Sequence, residues 1–228
     1  MTDGKKRLVA IGGGELRSFT TLEIDTFIRA LYTDEEKRPY ALFVPTASHD
    51  SKPYFNTFRK TYTSRLGCKV DVAILTKGEM TIEHIAEKIE KADIIYVGGG
   101  DTAYLLSTWR ETGFDKMMIE AYNAGKIICG LSAGAICWFT RAHSDYMRME
   151  GDSDEYGVLE GLGIIEGVCV PHFDEEDRRA DAEKRAKELG HGYGISTDSA
   201  IYFEDGVAKK TLGKCYRLDG EKITELSL

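Results

Sequence analysis

Lys126-Ile127-Ile128-Cys129-Gly130-Leu131-Ser132-Ala133-Gly134-Ala135-Ile136-Cys137-Trp138-Phe139 is the stretch around which this chain is organised. A short apolar run, Ile127 to Cys129, enters a Gly-x-Ser-x-Gly turn, and a second apolar run of helical character leaves it. Strand, sharp turn and helix in that order are the context of a nucleophile elbow, where small residues let two backbone segments approach and leave the serine hydroxyl exposed. Ser132 stands at the apex. The N–H groups of Ala133 and its successors then point up from a helix N-terminus, where they stabilise a developing oxyanion. The same residues also suit a plain glycine-rich turn with a capping serine, so the flanking chain has to decide between the two.

Toward the N-terminus, continuous apolar runs alternate with helical periodicity. Leu8 to Ile11 reads as a buried strand ending in Gly12-Gly13-Gly14, and Tyr40 to Val44 as a second, stopped by Pro45. Val70, Val72 and Ile74 alternate as a third, and Asp93 to Val97 is a fourth, ending in Gly98-Gly99-Gly100-Asp101-Thr102. Helices are predicted between them, on Ile24, Phe27, Ile28 and Leu31, on Tyr54, Phe58 and Tyr62 after Ser51, and on Ile82, Ile85 and Ile89 after Thr81. Two more carry Leu105, Leu106 and Trp109, then Met117, Met118, Ala121 and Tyr122. The aromatic stripe of Tyr54, Phe58 and Tyr62 reads as core packing. Such alternation predicts an α/β fold, a mostly parallel sheet with helices on both faces in three layers, and ligands at the C-terminal strand ends. The Gly98 turn and Ser132 then share one edge, where an N–H of Gly99 or Gly100 completes an oxyanion hole with Ala133. The first glycine turn is no dinucleotide fingerprint, because Arg17 stands where its last glycine belongs.

Downstream, Arg141 to Gly157 is polar and acidic and reads as a loop. Gly161 to Val170 returns to strand character, reaches Pro171-His172-Phe173, and hands over to a charged helix from Asp174 to Leu189. The acids Asp174, Glu175, Glu176 and Asp177 complement that helix's dipole and are not read as metal ligands. From Tyr193 onward five short strands, with hairpin signals at Asp205-Gly206 and Asp219-Gly220, predict an antiparallel C-terminal extension.

Composition narrows the partners. The 228 residues, 42% hydrophobic and 30% charged, are most simply one globular domain over 1–228. With 30 basic against 38 acidic residues the formal charge is −8, which argues against nucleic acid and for a small molecule or peptide. Five dispersed cysteines without a CxxC pair argue against a disulfide scaffold and fit a reducing cytoplasm. The run Leu8 to Ile11 is too short for a signal peptide and no later run spans a bilayer, so neither secretion nor membrane insertion is expected. No cofactor and no metal are expected, and monomer and homodimer stay open.

A serine needs a base, and histidine suits neutral pH. Of the five histidines, His49 lies in a strand-to-helix loop, His84 on a helix face, His143 in the acidic stretch and His191 in a glycine-rich turn. Only His172 combines a rigid strand end with the right sheet edge. The third partner should be a carboxylate that holds the imidazole tautomer, with Asp145, then Glu150, and Asp198 as an outside choice. Arg141, Arg148, Arg178 and Arg179 are the candidates to receive an acidic substrate side chain.

The set Gly98-Gly99-Gly100-Asp101-Thr102, Gly130-Leu131-Ser132-Ala133-Gly134-Ala135 and Pro171-His172-Phe173 resembles the aspartyl dipeptidase (dipeptidase E) family of serine peptidases, which includes cyanophycinases. The similarity runs over most of the chain. It implies a fold like the glutaminase domain of class I amidotransferases, with Ser where those enzymes carry Cys. It also implies Ser132 as nucleophile, His172 as base, and the N–H groups of Gly99 and Ala133 as oxyanion hole. The family's acid precedes the histidine, which favours Asp145 or Glu150 over Asp198. The chain departs from the family pattern over Ile136 to Gly157 and just after His172. The expected activity is hydrolysis of short peptides through an acyl-enzyme on Ser132. A catalytically silent binding homologue and an esterase are the alternatives, and glutamine amidotransfer is disfavoured because Cys129 and Cys137 lie off the apex.

Overall fold

Leu8 to Ile11, Ala41 to Val44 and Ile94 to Val97 are sealed from solvent on both faces, as strands without polar alternation must be. The computed structural model describes residues 4–34, 36–78, 80–151 and 153–228. Its first part runs β1 (Arg7–Ile11), α1 (Leu22–Ala30), β2 (Tyr40–Val44), α2 (Lys52–Ser64), β3 (Lys69–Val72), α3 (Ile82–Lys91), β4 (Ile94–Val97), α4 (Thr102–Thr112), α5 (Phe114–Asn123) and β5 (Ile127–Leu131). The side chains of Ser51, Thr81 and Asp101 cap α2, α3 and α4. β1 pairs with β5, β5 with β4, β4 with β2 and β2 with β3, all parallel.

Strand alternation divides the core between the two faces of this sheet. Val9, Ile11 and Phe43 cluster with Ile24, Ile28, Phe58 and Tyr62 of α1 and α2. Leu8, Ala10 and Leu42 cluster with Ile85, Ile89, Leu105, Trp109 and Met118 of α3, α4 and α5. The α/β fold with helices on both faces is therefore present as expected.

After β5 come α6 (Ala133–Ile136), β6 (Phe139–Ser144), α7 (Tyr146–Glu150), β7 (Gly157–Glu160), β8 (Ile165–Val170), α8 (Glu176–Lys184), α9 (Ala186–Leu189), β9 (His191–Ile195), β10 (Ala200–Glu204), β11 (Val207–Leu212), β12 (Cys215–Asp219) and β13 (Ile223–Leu226). The helix leaving the elbow is only four residues long. The segment from Arg141 to Gly157, expected as a loop, instead begins inside β6 and ends where β7 begins, with α7 between. Its strand hides in the sequence because buried polar side chains replace the apolar alternation. His143 is fully buried, with Nε2 2.8 Å from Asp181 and its ring stacked on Tyr156. The charged helix expected over 174–189 breaks in two at Arg185.

The C-terminal strands divide between two sheets. β10 pairs antiparallel with β1 and β11 with β10, completing a seven-stranded sheet in the order β11-β10-β1-β5-β4-β2-β3. The others join a six-stranded sheet, β13-β12-β9-β8-β6-β7, in which β6, β8 and β9 are parallel. The register Ala10↔Gly130 and Val97↔Gly130 aligns the C-terminal ends of β1, β5 and β4. The second sheet is pinned to that edge where His172 N–H, just after β8, donates to Gly12 O, just after β1, at 3.0 Å. Among the described residues no helix is long and apolar enough to cross a membrane.

Candidate active site

Ser132 sits in backbone strain. Its φ of 51° and ψ of −113° lie outside the regions L-residues favour, and the turn is held by its own N–H on Ile11 O at 2.9 Å and by Ala135 and Ile136 N–H groups on its carbonyl. The glycines make this approach possible. A Cβ on Gly130 would fall 1.9 Å from Gly134 O, and one on Gly134 would fall 2.3 Å from Val97 O. These are the close backbone contacts that an elbow demands.

His172 follows β8 with a left-handed φ of 46°. Its Nε2 lies 2.9 Å from Ser132 Oγ, a hydrogen bond. The ring leans on the first glycine turn, where a Cβ on Gly13 would stand 2.3 Å from its Cε1. If Ser132 donates its hydroxyl proton, Nε2 accepts and Nδ1 carries the ring proton. Facing Nδ1 are Thr197 Oγ1 at 3.5 Å and Glu175 Oε1 at 3.8 Å. Burial first, then the Arg178 guanidinium, hold the imidazole below its ordinary pKa, against the opposing pull of Glu175, Asp145 and Asp174.

Residues 8–211 match the model of peptidase family S51. The chain belongs to peptidase family S51. Over 225 residues it is 33% identical to a protein named "Uncharacterized peptidase YgaJ" of Bacillus subtilis (strain 168), covering 93% of this chain and 92% of that one. Over 128 residues it is 29% identical to "Peptidase E" of Streptomyces coelicolor, covering 55% of this chain and 51% of that one. Its fold is that of a crystal structure of a peptidase from an acI-B1 Actinobacterium, with a TM-score of 0.73 at 24% identity over 97% of this chain and 93% of that one. The resemblance read from the three motifs is borne out, and the chain is a peptidase, a hydrolase.

Within this S51 chain Asp145 and Asp198, two of the expected acids, lie elsewhere than on the imidazole. Asp145 Oδ2 is held by Arg178 at 3.0 Å. Arg178, 4% exposed in its side chain, also binds Glu175 at 3.2 Å and lies over the Tyr156 ring, so Asp145 reaches His172 only through two intervening residues. Among the described residues Glu175 is the one carboxylate within ion-pair distance of the His172 ring. Asp198 accepts from Thr20 Oγ1 at 2.5 Å and stays off the ring. Glu150 belongs to α7, but its side chain lies outside the described residues. The acidic run after His172 was explained by the helix dipole, and that commoner use masks Glu175. Thr197 has no sequence signature beyond standing beside Asp198.

The other histidines are engaged away from Ser132. His49 packs at a tilt against Tyr104 with ring centroids 4.0 Å apart, His191 faces Glu166 at 3.5 Å, His143 is buried on Asp181, and His84 is exposed on α3. Of the arginines, Arg141 caps the carbonyls of Glu188 and Leu189, Arg148 binds Asp177, and Arg179 binds Glu183. The oxyanion candidates are close to the serine: Ala133 opens α6, and a Cβ on Gly99 would lie 3.4 Å from Ser132 Cβ. Gly99 N–H donates to the Tyr54 hydroxyl at 3.3 Å. Gly100 takes a φ of 140° and packs against the Ala47 carbonyl, so its freedom serves the turn.

Proposed function

We propose that the chain is a serine peptidase of the cytoplasm that hydrolyses short peptides, dipeptides among them, through an acyl-enzyme on Ser132. His172 Nε2 takes the proton from Ser132 Oγ as the oxygen attacks the scissile carbonyl, and returns it to the leaving amine. The carbonyl electron pair moves onto oxygen, where Ala133 and Gly99 N–H groups stabilise it. Collapse expels the amine and leaves the acyl-enzyme, which water hydrolyses by the same proton route. Glu175, with Thr197, orients the Nδ1–H side of the ring, the part first expected of Asp145. A small peptide is the only partner this chemistry needs.

The observation that carries the reading is the 2.9 Å contact of His172 Nε2 with Ser132 Oγ at a strained elbow. The test is a panel of dipeptides with varied first residue, run on the parent and on Ser132→Ala, with fluorophosphonate labelling alongside. The parent is expected to hydrolyse members of the panel and to be labelled, and the variant to do neither. Hydrolysis by Ser132→Ala at the parent rate rejects the mechanism.

A further inference from the structure

Tyr54 belongs to the aromatic stripe that reads as core packing, yet its hydroxyl ends at the Gly99 turn beside Ser132. The ring is held rigidly. It packs edge-on against Phe43 with centroids 5.0 Å apart, and lies so close to the glycine turn that a Cβ on Gly98 would come within 3.0 Å of it. Phe43 in turn is stacked on Phe58 in the sealed core, and the Tyr54 backbone is fixed in the first turn of α2 by its bond to Ser51. The phenol oxygen therefore has little freedom to leave the position it holds. From there it accepts the N–H of Gly99, whose Cα lies against Ser132. A hydroxyl has one proton to give as well as lone pairs to offer. Among the described residues the Tyr54 proton has no hydrogen-bond acceptor.

We infer that the Tyr54 hydroxyl is a side-chain donor of the oxyanion hole, acting beside Gly99 and Ala133. The inference rests on the peptidase reading of Ser132. When Ser132 Oγ bonds to the carbonyl carbon, the π electron pair moves to the carbonyl oxygen. Tyr54 O–H turns toward that charge and shares its proton without transferring it. Gly99 N–H, 3.3 Å from Tyr54 Oη in a long and easily shared bond, reaches the same oxygen. On collapse the pair returns, the amine leaves with the proton held by His172, and Tyr54 is unchanged. Burial pushes the phenol up to about 12, so it remains a donor across the working pH of a histidine base. The carbonyl is less basic than the oxyanion, so the bond strengthens toward the transition state, which is where a catalytic donor acts.

The test compares Tyr54→Phe, which keeps the ring packing, with the parent. Both are assayed for dipeptide turnover and for the rate of Ser132 labelling by a fluorophosphonate, whose phosphoryl oxygen occupies the same hole. By analogy with other single oxyanion donors, kcat is expected to fall roughly 100- to 1000-fold, with KM little changed and labelling slowed in step. An unchanged melting midpoint separates this from a folding defect. Equal or faster labelling of Tyr54→Phe overturns the inference and leaves the peptidase reading standing. A parent protein that neither labels at Ser132 nor turns over any peptide overturns the peptidase reading, and this inference with it.

Discussion

His172 is pulled two ways. Burial and the Arg178 charge disfavour the imidazolium, Glu175, Asp145 and Asp174 favour it, and the outcome lies below 6.5. A base that is neutral at rest can accept the Ser132 proton, and kcat/KM should therefore fall only when the pH drops through a value under the ordinary histidine range. Glu175→Gln removes one of the charges that favour the imidazolium, so the acid limb of the pH profile is expected to move to still lower pH. Its kcat should drop by about tenfold, far short of the ~10⁴-fold carried by a directly bonded triad carboxylate, because 3.8 Å is an ion-pair distance and not a hydrogen bond. A limb that stays in place or moves upward rules out Glu175 as the orienting charge. Ser132 and His172 were legible in the chain because an elbow and a strand-end histidine each have a local signature. The carboxylate was not, since charge next to a helix start has a commoner purpose and only the αL turn at His172 brings Glu175 back toward the ring.

At the scale of elements, the glycine turn after β1 is a wall of the candidate active site contributed by a strand far from the elbow in sequence. Gly13→Ala would place a methyl 2.3 Å from His172 Cε1, against a ring anchored by the His172 N–H bond to Gly12 O. The imidazole must tilt off Ser132, and a displacement on the order of 1 Å at a reacting group costs about 10²-fold in rate. Overpacking should add a stability loss of roughly 1–3 kcal/mol, read as a lower urea midpoint. A variant with parent turnover would mean that the ring does not depend on this contact. The same scale explains where sequence periodicity failed. β2, β4, β5 and, from Leu8 onward, β1 carry no polar alternation and are readable, whereas β6 buries His143 and Ser144, and hydrogen bonding of the former to Asp181 replaces the hydrophobic pattern that would announce a strand.

For the whole molecule, stability should depend on a carboxyl group that has no part in the chemistry. Asp25 of α1 is fully buried, accepts hydrogen bonds from Thr21 at 2.8 Å and Tyr62 at 2.9 Å, and is pushed by desolvation to about 6 from 3.8. The folded state thus keeps a proton that the unfolded chain has released. Its contribution is fully present below pH 3.8 and is lost as pH rises through about 6, on the order of 3 kcal/mol at most. Asp25→Asn is expected to flatten the decline of unfolding free energy between about pH 4 and about pH 7, measured by urea titration at several pH values. A variant whose pH dependence parallels the parent's would show that Asp25 is ionised in the fold. At this scale, cavity size is a poor guide to function. A cavity of about 1030 Å³ lies at the opposite strand ends, lined by Lys126 and Arg38 among others, and those two cations are held by the carbonyls of Glu90, Gly67 and Cys68.

The chain by itself determined its parallel sheet, the elbow on which Ser132 stands and the strand end that carries His172, because apolar runs, helical spacing and glycine turns act over a few neighbouring residues. Only the tertiary structure decided what surrounds them. It divided the C-terminal strands between two sheets, set Gly13 against the imidazole, turned Asp145 to Arg178 and Glu175 toward Nδ1, and brought Tyr54 to the Gly99 N–H. Such contacts join segments widely separated in sequence, or neighbours reoriented by one unusual backbone angle, and their geometry exists only once both sheets have packed around a shared core.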